Sequence, residues 1–184
     1  MIGPASGVSF TARLHAWLSD ARVDDSAAGR ARERWLQAAA EADATFGGVL
    51  LDLAERGGLI TLGLTSGRRH RGQLVAIGGD FVAVALATGG DVLVTRGAIA
   101  SVRATPGSDA ALGERAVTTD LRLGDVLAEL AAERSRVLLL LGDRGDPVGG
   151  EARAAGRDVL TVRLDGDPPA LTYVPLAAIR EVVL

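Results

Sequence analysis

Residues 59–102 read LITLGLTSGRRHRGQLVAIGGDFVAVALATGGDVLVTRGAIASV, and this stretch decides the fold of the chain. Runs of β-forming residues alternate with glycine and charged residues, which predicts short strands joined by tight turns. The predicted strands are 59–65, 70–77, 81–86, 91–95 and 99–103. Five short strands in about 45 residues, separated by glycine turns, are typical of a small antiparallel barrel. Gly72 lies where a strongly bent strand requires an unhindered backbone.

A second passage, residues 136–182, repeats the order of these features. The offset between the two copies is 77 residues at the first strand and reaches 80 at the fourth, and the added residues fall in predicted turns. The copies align at apolar, glycine and acidic positions, which are Ile60, Leu62, Gly72, Asp80 and Val94 against Val137, Leu139, Gly150, Asp158 and Val174. Matched glycines with gaps confined to turns indicate an internal repeat.

Length and composition limit the class of protein. A chain of 184 residues suits one or two domains. A unit of about 60 residues is only marginally stable alone, so we expect the two copies to pack together or to bind a partner. No apolar run approaches the roughly 18 residues of a membrane span, and residues 1–20 lack the features of a signal peptide. We therefore expect a cytoplasmic protein that does not enter the membrane.

Charge is distributed unevenly along the chain. All twenty basic residues are Arg, and the net charge is −3. It divides into −1 for residues 1–45, +2 for 46–106 and −4 for 107–184. Any polyanion should therefore bind the first copy, although +2 is far below the charge of dedicated nucleic-acid binders.

The predicted organisation has four parts. An N-terminal helical arm covers 1–45, the first barrel 46–106, a linker 107–122 and the second barrel 123–184. Each barrel is preceded by a helix. The first is capped by Thr45 and ends near Gly57, which suits a left-handed stop. The second is predicted over 121–134, with Thr119 or Asp120 as its cap.

The arm is predicted to contain two helices. The first spans 9–21, although alternating apolar residues from Val8 to Leu14 also fit a strand. The second follows Asp24, Asp25 and Ser26, which suit a helix N-terminus. Its narrow alanine face would let a partner helix approach closely. The candidate docking residues are Ala28, Ala31, Trp35, Ala38 and Ala42.

The order of these features resembles the Sm and Sm-like family of small, SH3-like barrels. The first motif of that family joins an apolar strand, a glycine turn, a glycine in the bent strand and an Asp beside a hydrophobic residue. The second motif is Arg-Gly before an Ile-rich strand. The matching residues are Leu62, Leu64, Gly67, Gly72, Asp80 and Phe81, then Val94, Arg96, Gly97 and Ile99. The resemblance covers residues 59–103 and extends more weakly to the second copy. It implies two tandem Sm-like barrels of five strands each.

The resemblance also implies a binding site, because members of the family commonly form rings and bind single-stranded RNA. The implied RNA-binding positions are Asp80, Phe81, Arg96 and Gly97. The chain departs from the family at Ala83, where Asn is usual. In the second copy, Pro175 and Leu176 replace the Arg-Gly pair, so the implied site belongs to the first copy alone.

A basic turn also indicates a binding site in the first copy, and this argument does not depend on the family resemblance. Arg68, Arg69, His70 and Arg71 are consecutive, and the repulsion among three Arg is relieved by phosphate or carboxylate. Phosphate contact would give salt-sensitive affinity with little sequence preference. The alternative is a solvated turn, or a turn paired with acidic residues of the second copy.

Two functions remain open. The first is a non-enzymatic scaffold for protein interaction or oligomerisation, in which barrel edges pair between chains and the alanine helix docks a partner. The alternative is RNA or other polyanion binding by the basic turn and the Arg-Gly turn. The chain has no cysteine, only His15 and His70, and no phosphate-binding loop. We therefore expect no catalysis, no metal and no small-molecule cofactor.

Overall fold

The computed structural model describes residues 44–107 and 116–184, together with Arg32. The chain divides after Phe46, and residues 47–184 form one compact unit. The arm helices predicted within 1–45 and the candidate docking residues Ala28, Ala31, Trp35, Ala38 and Ala42 lie outside the described residues.

The first half of the β region follows the predicted order closely. It contains helix α1 (Phe46–Arg56) and strands β1 (Leu59–Leu64), β2 (Arg69–Ile77), β3 (Phe81–Leu86), β4 (Asp91–Thr95) and β5 (Ile99–Ala104). β3 and β4 have the predicted bounds, and the other strands differ by one residue at an end. A short 3-10 turn, Arg96–Ala98, joins β4 to β5.

The second half repeats this order after a two-residue strand, β6 (Val117–Thr118). It contains helix α2 (Leu123–Ala132) and strands β7 (Arg136–Leu141), β8 (Asp146–Ala155), β9 (Val159–Leu164), β10 (Leu171–Pro175) and β11 (Ile179–Val183). Leu176–Ala178 forms the 3-10 turn equivalent to that of the first half. Helix α2 is shorter than the predicted 121–134, and neither predicted residue is its cap, because the helix begins after Arg122.

All eleven strands belong to one open sheet. The strand order is β10-β9-β8-β7-β11-β4-β3-β2-β1-β5, antiparallel throughout, and β6 adds a parallel pair to β2. The mainly β class is therefore confirmed, whereas two closed barrels are not. The reason lies in the partner of β4. Closing the first half would require β4 to pair with β5, but β4 pairs with β11 instead.

Each half has its own hydrophobic core. Alternating residues of β1, Ile60, Leu62 and Leu64, are buried beneath Leu50 of α1 in the first core. In the second, Val137 and Leu139 of β7 are buried with residues of α2. Burying one such side chain stabilises the fold by about 1.5–3 kcal/mol. Successive side chains of a strand point to opposite faces of the sheet, so every second residue of β1 and β7 faces the core and the helix that covers it.

Gly72 and Gly150 occupy the same place in the two copies, on the long bent strands β2 and β8. A Cβ on Gly72 would collide with the carbonyl oxygen of Ala85, and a Cβ on Gly150 with that of Arg163. The neighbouring strand therefore approaches too closely for any side chain. The sequence predicted that Gly72 needs an unhindered backbone, and the close carbonyl oxygen of Ala85 is the physical reason.

We expect Gly150→Ala to destabilise the protein by about 1–3 kcal/mol, because a strand backbone would have to move to admit one methyl group. The matched control is Gly149→Ala on the same strand, where the new Cβ would meet only Leu138 Cδ1 at an ordinary 3.7 Å. Urea unfolding of both variants measures the difference. Equal midpoints for the two variants would contradict the close approach.

Candidate functional site

The two halves join where β4 pairs with β11. Val94 lies opposite Glu181, Leu93 opposite Val182, and Val92 opposite Val183. Side chains from the first half cross into the core of the second, since Phe81, Ala83 and Leu93 are buried there. β3 and β4 are consequently covered on both faces. We call this contact the inner junction.

A buried charged group lies in the inner junction. The side chain of Glu181 is 0% exposed. His70 Nε2 donates a hydrogen bond to Glu181 Oε2 at 2.5 Å, and Arg68 Nε lies 3.4 Å from the same oxygen. Glu181 Oε1 has no hydrogen-bond partner among the described residues. A carboxylate in such a place requires its hydrogen-bonding and charged neighbours, so these three residues act as a unit.

The side chains of the predicted basic turn therefore point in two directions. Arg68 and His70 turn toward Glu181 of the second half, which is the alternative considered from sequence. Arg69 and Arg71 are exposed and form no ion pair with the described part of the chain. Arg71 lies in the same transverse row as Arg103 of β5, with Thr61 between them. We call Arg69, Arg71 and Arg103 the arginine face.

The residues implied by the Sm resemblance are brought together but already have structural partners. Asp80 Oδ1 accepts the backbone N–H of Leu123 at 2.8 Å and so caps α2. Arg96 donates to the carbonyl of Gly78 at 2.7 Å. The ring of Phe81 is buried in the second core, where no base could stack on it. Only Gly97 is exposed.

A cleft of about 620 Å³ opens beside this group, at the start of α2. Three arginines line it, Arg122, Arg157 and Arg180, together with the carboxylates of Asp80 and Asp125. Those carboxylates already accept the N–H groups of Leu123 and Arg122. Sequence reasoning missed these arginines, because Arg122 comes from the linker, Arg157 from a turn of the second copy and Arg180 from strand β11. No local signal joins them.

Within the described residues the sheet has two uncovered ends, β10 and β5. The exposed fraction of Tyr173 on β10 is 67%, and that of Leu171 is 57%. The equivalent of Tyr173 on β4 is Leu93, which is only 6% exposed because the second half covers it. Two copies of one strand therefore differ in burial because, within the described residues, β4 is paired on both sides and β10 is paired with β9 alone. The sequence predicted that strand edges pair between chains, but it did not identify Leu171 and Tyr173.

These features define a mainly β protein with a repeated sheet, an inner junction between its halves and, in the part of the chain that the structure describes, two strand edges without a partner strand. Among the described residues no three His, Asp or Glu side chains gather closely enough to hold a metal ion. None of the described helices has the length and apolar character needed to cross a membrane. No protein-family model matches the chain, and no curated protein or solved structure is significantly similar to it.

We expect His70→Leu to destabilise the protein by about 3–5 kcal/mol, because it leaves a buried carboxylate without its closest donor. The double variant His70→Leu with Glu181→Leu should lose less than the single variant, since no buried charge remains. Urea unfolding of the wild type, both single variants and the double variant measures this coupling. Simple addition of the two single effects would show that the residues do not act as a unit.

Proposed function

We propose that the protein is a non-enzymatic interaction scaffold, built of two fused Sm-like units, that binds protein partners by strand addition at the uncovered end of its sheet. The observation that carries this proposal is the contrast between Tyr173 and its covered equivalent Leu93. An exposed apolar side chain on an edge strand is where another strand binds favourably.

The backbone of β10 supports the same function. Leu164 N–H donates to Ala170 O, and Leu176 N–H donates to Asp158 O. Because alternate residues of a strand direct their backbone groups to opposite sides, the N–H groups of Leu171 and Tyr173 point away from β9. Considering residues 44–107 and 116–184, the edge therefore offers backbone donors without a partner strand beside exposed apolar side chains, which is the combination that strand addition uses.

The Sm-like assignment of each unit rests on repeated features. Both halves have a helix, five strands in the order 5-1-2-3-4, a glycine against a carbonyl in the second strand and a 3-10 turn before the fifth. The polar groups that the family uses for RNA are engaged in helix capping and backbone bonds here. That leaves protein binding as the function that the geometry supports best.

We expect peptides selected from a display library on the full chain to lose binding to the double variant Leu171→Lys with Tyr173→Lys. Two charges on β10 oppose the burial of a docked strand without affecting the core. The matched control is Val117→Lys with Leu121→Lys, which makes the same change at two other exposed apolar residues. Peptides that bind wild type and both variants equally would contradict strand addition at β10.

A second candidate function, RNA or other polyanion binding, is favoured by the arginine face. Arg69 of β2 and Arg103 of β5 line a depression of about 80 Å³ together with Thr61, Gly63 and Ser101, and Arg71 lies in the same row as Arg103. Three cations with no acidic partner in the described part of the chain would attract phosphates. Affinity would be salt-dependent and largely independent of sequence.

If this second function is correct, a short U-rich RNA should bind at low salt, and Arg71→Ala with Arg103→Ala should weaken that binding. The slope of log affinity against log salt should fall by about 0.7 for each phosphate contact removed. The control is Arg144→Ala with Arg134→Ala, which removes the same charge from exposed positions of the second half. Fluorescence anisotropy measures both. Absence of binding at low salt would exclude the RNA function.

A further inference from the structure

The uncovered end at β5 presents backbone groups to solvent in a regular order. Thr105 N–H donates to Leu59 O of β1. Because alternate residues of an antiparallel strand direct their backbone groups to opposite sides, Val102 and Ala104 direct theirs away from β1. Within the described part of the chain, no strand pairs with that outer side of β5. An added strand would therefore meet donors and acceptors at every second residue.

The arginine face lies on the outer surface of the sheet beside this edge. Two transverse rows end at β5, and each contains an arginine of β2. The rows run Arg103, Thr61, Arg71 and Ser101, Gly63, Arg69. Since Gly63 has no side chain, the depression between Arg69 and Arg103 stays open beside the hydroxyl of Ser101. A carboxylate placed there would meet a hydroxyl donor and two guanidinium groups.

The opposite face of the same edge is largely apolar. A pocket of about 200 Å³ opens there, and Ala104 of β5, Ile60 of β1 and Leu53 of α1 are among the residues that line it. Arg56 also lines this pocket, but its side chain forms an ion pair with Asp52. Side chains of an added strand would therefore meet apolar groups on one face and the arginine face on the other.

The repeat indicates that this face has a partner of its own kind. The equivalents of Thr61, Gly63, Ser101 and Arg103 in the second copy are Leu138, Leu140, Glu181 and Val183. Of these, Leu140 and Glu181 are buried, and Val183 packs against the first core. The second copy is thus largely apolar where the first copy is polar and basic. The free strand β10, LTYVP, has no carboxylate to offer the arginines of the first copy.

We propose that β5 binds an extended acidic segment of a partner protein as an added strand, in which acidic residues alternate with apolar ones. The residues opposite Arg103 and Ser101 are Asp or Glu, and their carboxylates lie over the arginine face. The residues opposite Val102 and Ala104 are apolar. Opposite side chains on one face of a sheet have Cβ atoms about 4.5–5.5 Å apart, which brings each acid within reach of an arginine. This inference rests on the proposed function, strand addition, and assigns the second uncovered end a partner of stated charge.

The two faces of the edge favour a peptide over a nucleic acid. Phosphates could bind the arginine face, but they would leave the apolar pocket and the outward N–H groups of Val102 and Ala104 unused. An added peptide strand uses the backbone groups, the pocket and the arginines together. RNA is therefore the competing outcome of the test.

Fluorescence anisotropy with labelled peptides tests the proposal on the full chain. The probe is Gly-Val-Glu-Val-Glu-Val-Glu-Gly, in which Glu alternates with Val. The matched control is Gly-Val-Val-Val-Glu-Glu-Glu-Gly, which has the same composition and charge in a different order. We expect the alternating peptide alone to bind, with an affinity that falls as salt rises. Equal affinity for both peptides would show that charge suffices and would overturn strand addition at β5.

Charge reversal at β5 identifies the edge that binds. Arg103→Glu should weaken binding of the alternating peptide by about tenfold, because an attraction is replaced by a repulsion. The same variant should bind the peptide that carries Lys in place of Glu more tightly than the wild type does. The matched control is Arg144→Glu, which makes the same change at an exposed residue of the second half and should leave both affinities unchanged. Equal effects of the two reversals would overturn the assignment to β5.

Methylation of the peptide backbone tests the ladder itself. In the proposed complex each Val of the peptide directs its N–H toward β5, whereas each Glu directs its N–H toward solvent. N-methylation of the Val residues should therefore abolish binding, and N-methylation of the Glu residues should leave it nearly unchanged. Equal losses from both modifications would overturn the ladder.

Other occupants of the edge give different results. A short U-rich RNA that binds the wild type and is lost in Arg103→Glu, when the alternating peptide does not bind, would assign the face to nucleic acid and overturn the proposal. A chain that does not bind the peptide but forms a concentration-dependent larger species in light scattering would indicate that a second copy covers the edge. That result would also overturn it.

The variant Leu171→Lys with Tyr173→Lys separates this inference from the proposed function. It changes β10, at the other end of the sheet, so the alternating peptide should bind it as tightly as it binds the wild type. Loss of binding in that variant but not in Arg103→Glu would move the peptide to β10, which keeps strand addition and overturns the β5 site. Failure of the alternating peptide, while display-selected peptides still bind β10, would overturn this inference alone.

Discussion

The pairing of β4 with β11 is the contact on which the rest of the structure depends. Either half alone has about 60 residues, a size at which too little surface is buried for comfortable stability. The pairing joins both halves into one sheet and carries Phe81 and Leu93 of the first half into the core of the second. It explains why β3 reads FVAVAL, apolar at every position, since both of its faces are covered.

The buried carboxylate of Glu181 gives this pairing its specificity. Taking a carboxylate out of water is unfavourable, and among the described side chains His70 and Arg68 are the ones that offset its desolvation. A one-residue slip of β11 would turn Glu181 to the opposite face, away from both partners. Replacement of β11 by β5 of another chain would put Ser101 opposite Val94 and leave His70 without a carboxylate. The chain is thereby guided to pair with itself first.

Local patterns predicted most of the elements, and long-range pairing was the part that they could not predict. Alternation and glycine located β3 and β4 to the residue, and the repeat located their copies. Closure was the error, because the paired residues of β4 and β11 are 87 to 91 positions apart in the sequence, and a strand edge looks the same whether β5 or β11 covers it. The role of Glu181 was invisible for the same reason, since nothing in EVVL marks its acid as buried.

The residues that carry the Sm resemblance have structural roles in this chain. Asp80 caps a helix that belongs to the other copy, Phe81 fills that copy's core, and Arg96 holds the carbonyl of Gly78. A helix lies against the loop at which the resemblance would place RNA, because the second copy is fused there. Polar groups with intramolecular partners gain little from a ligand, since each new bond replaces an existing one. Fusion therefore turns the surface that the resemblance assigns to RNA into part of the inner junction, and the strand edges that remain at the ends of the described sheet are β10 and β5.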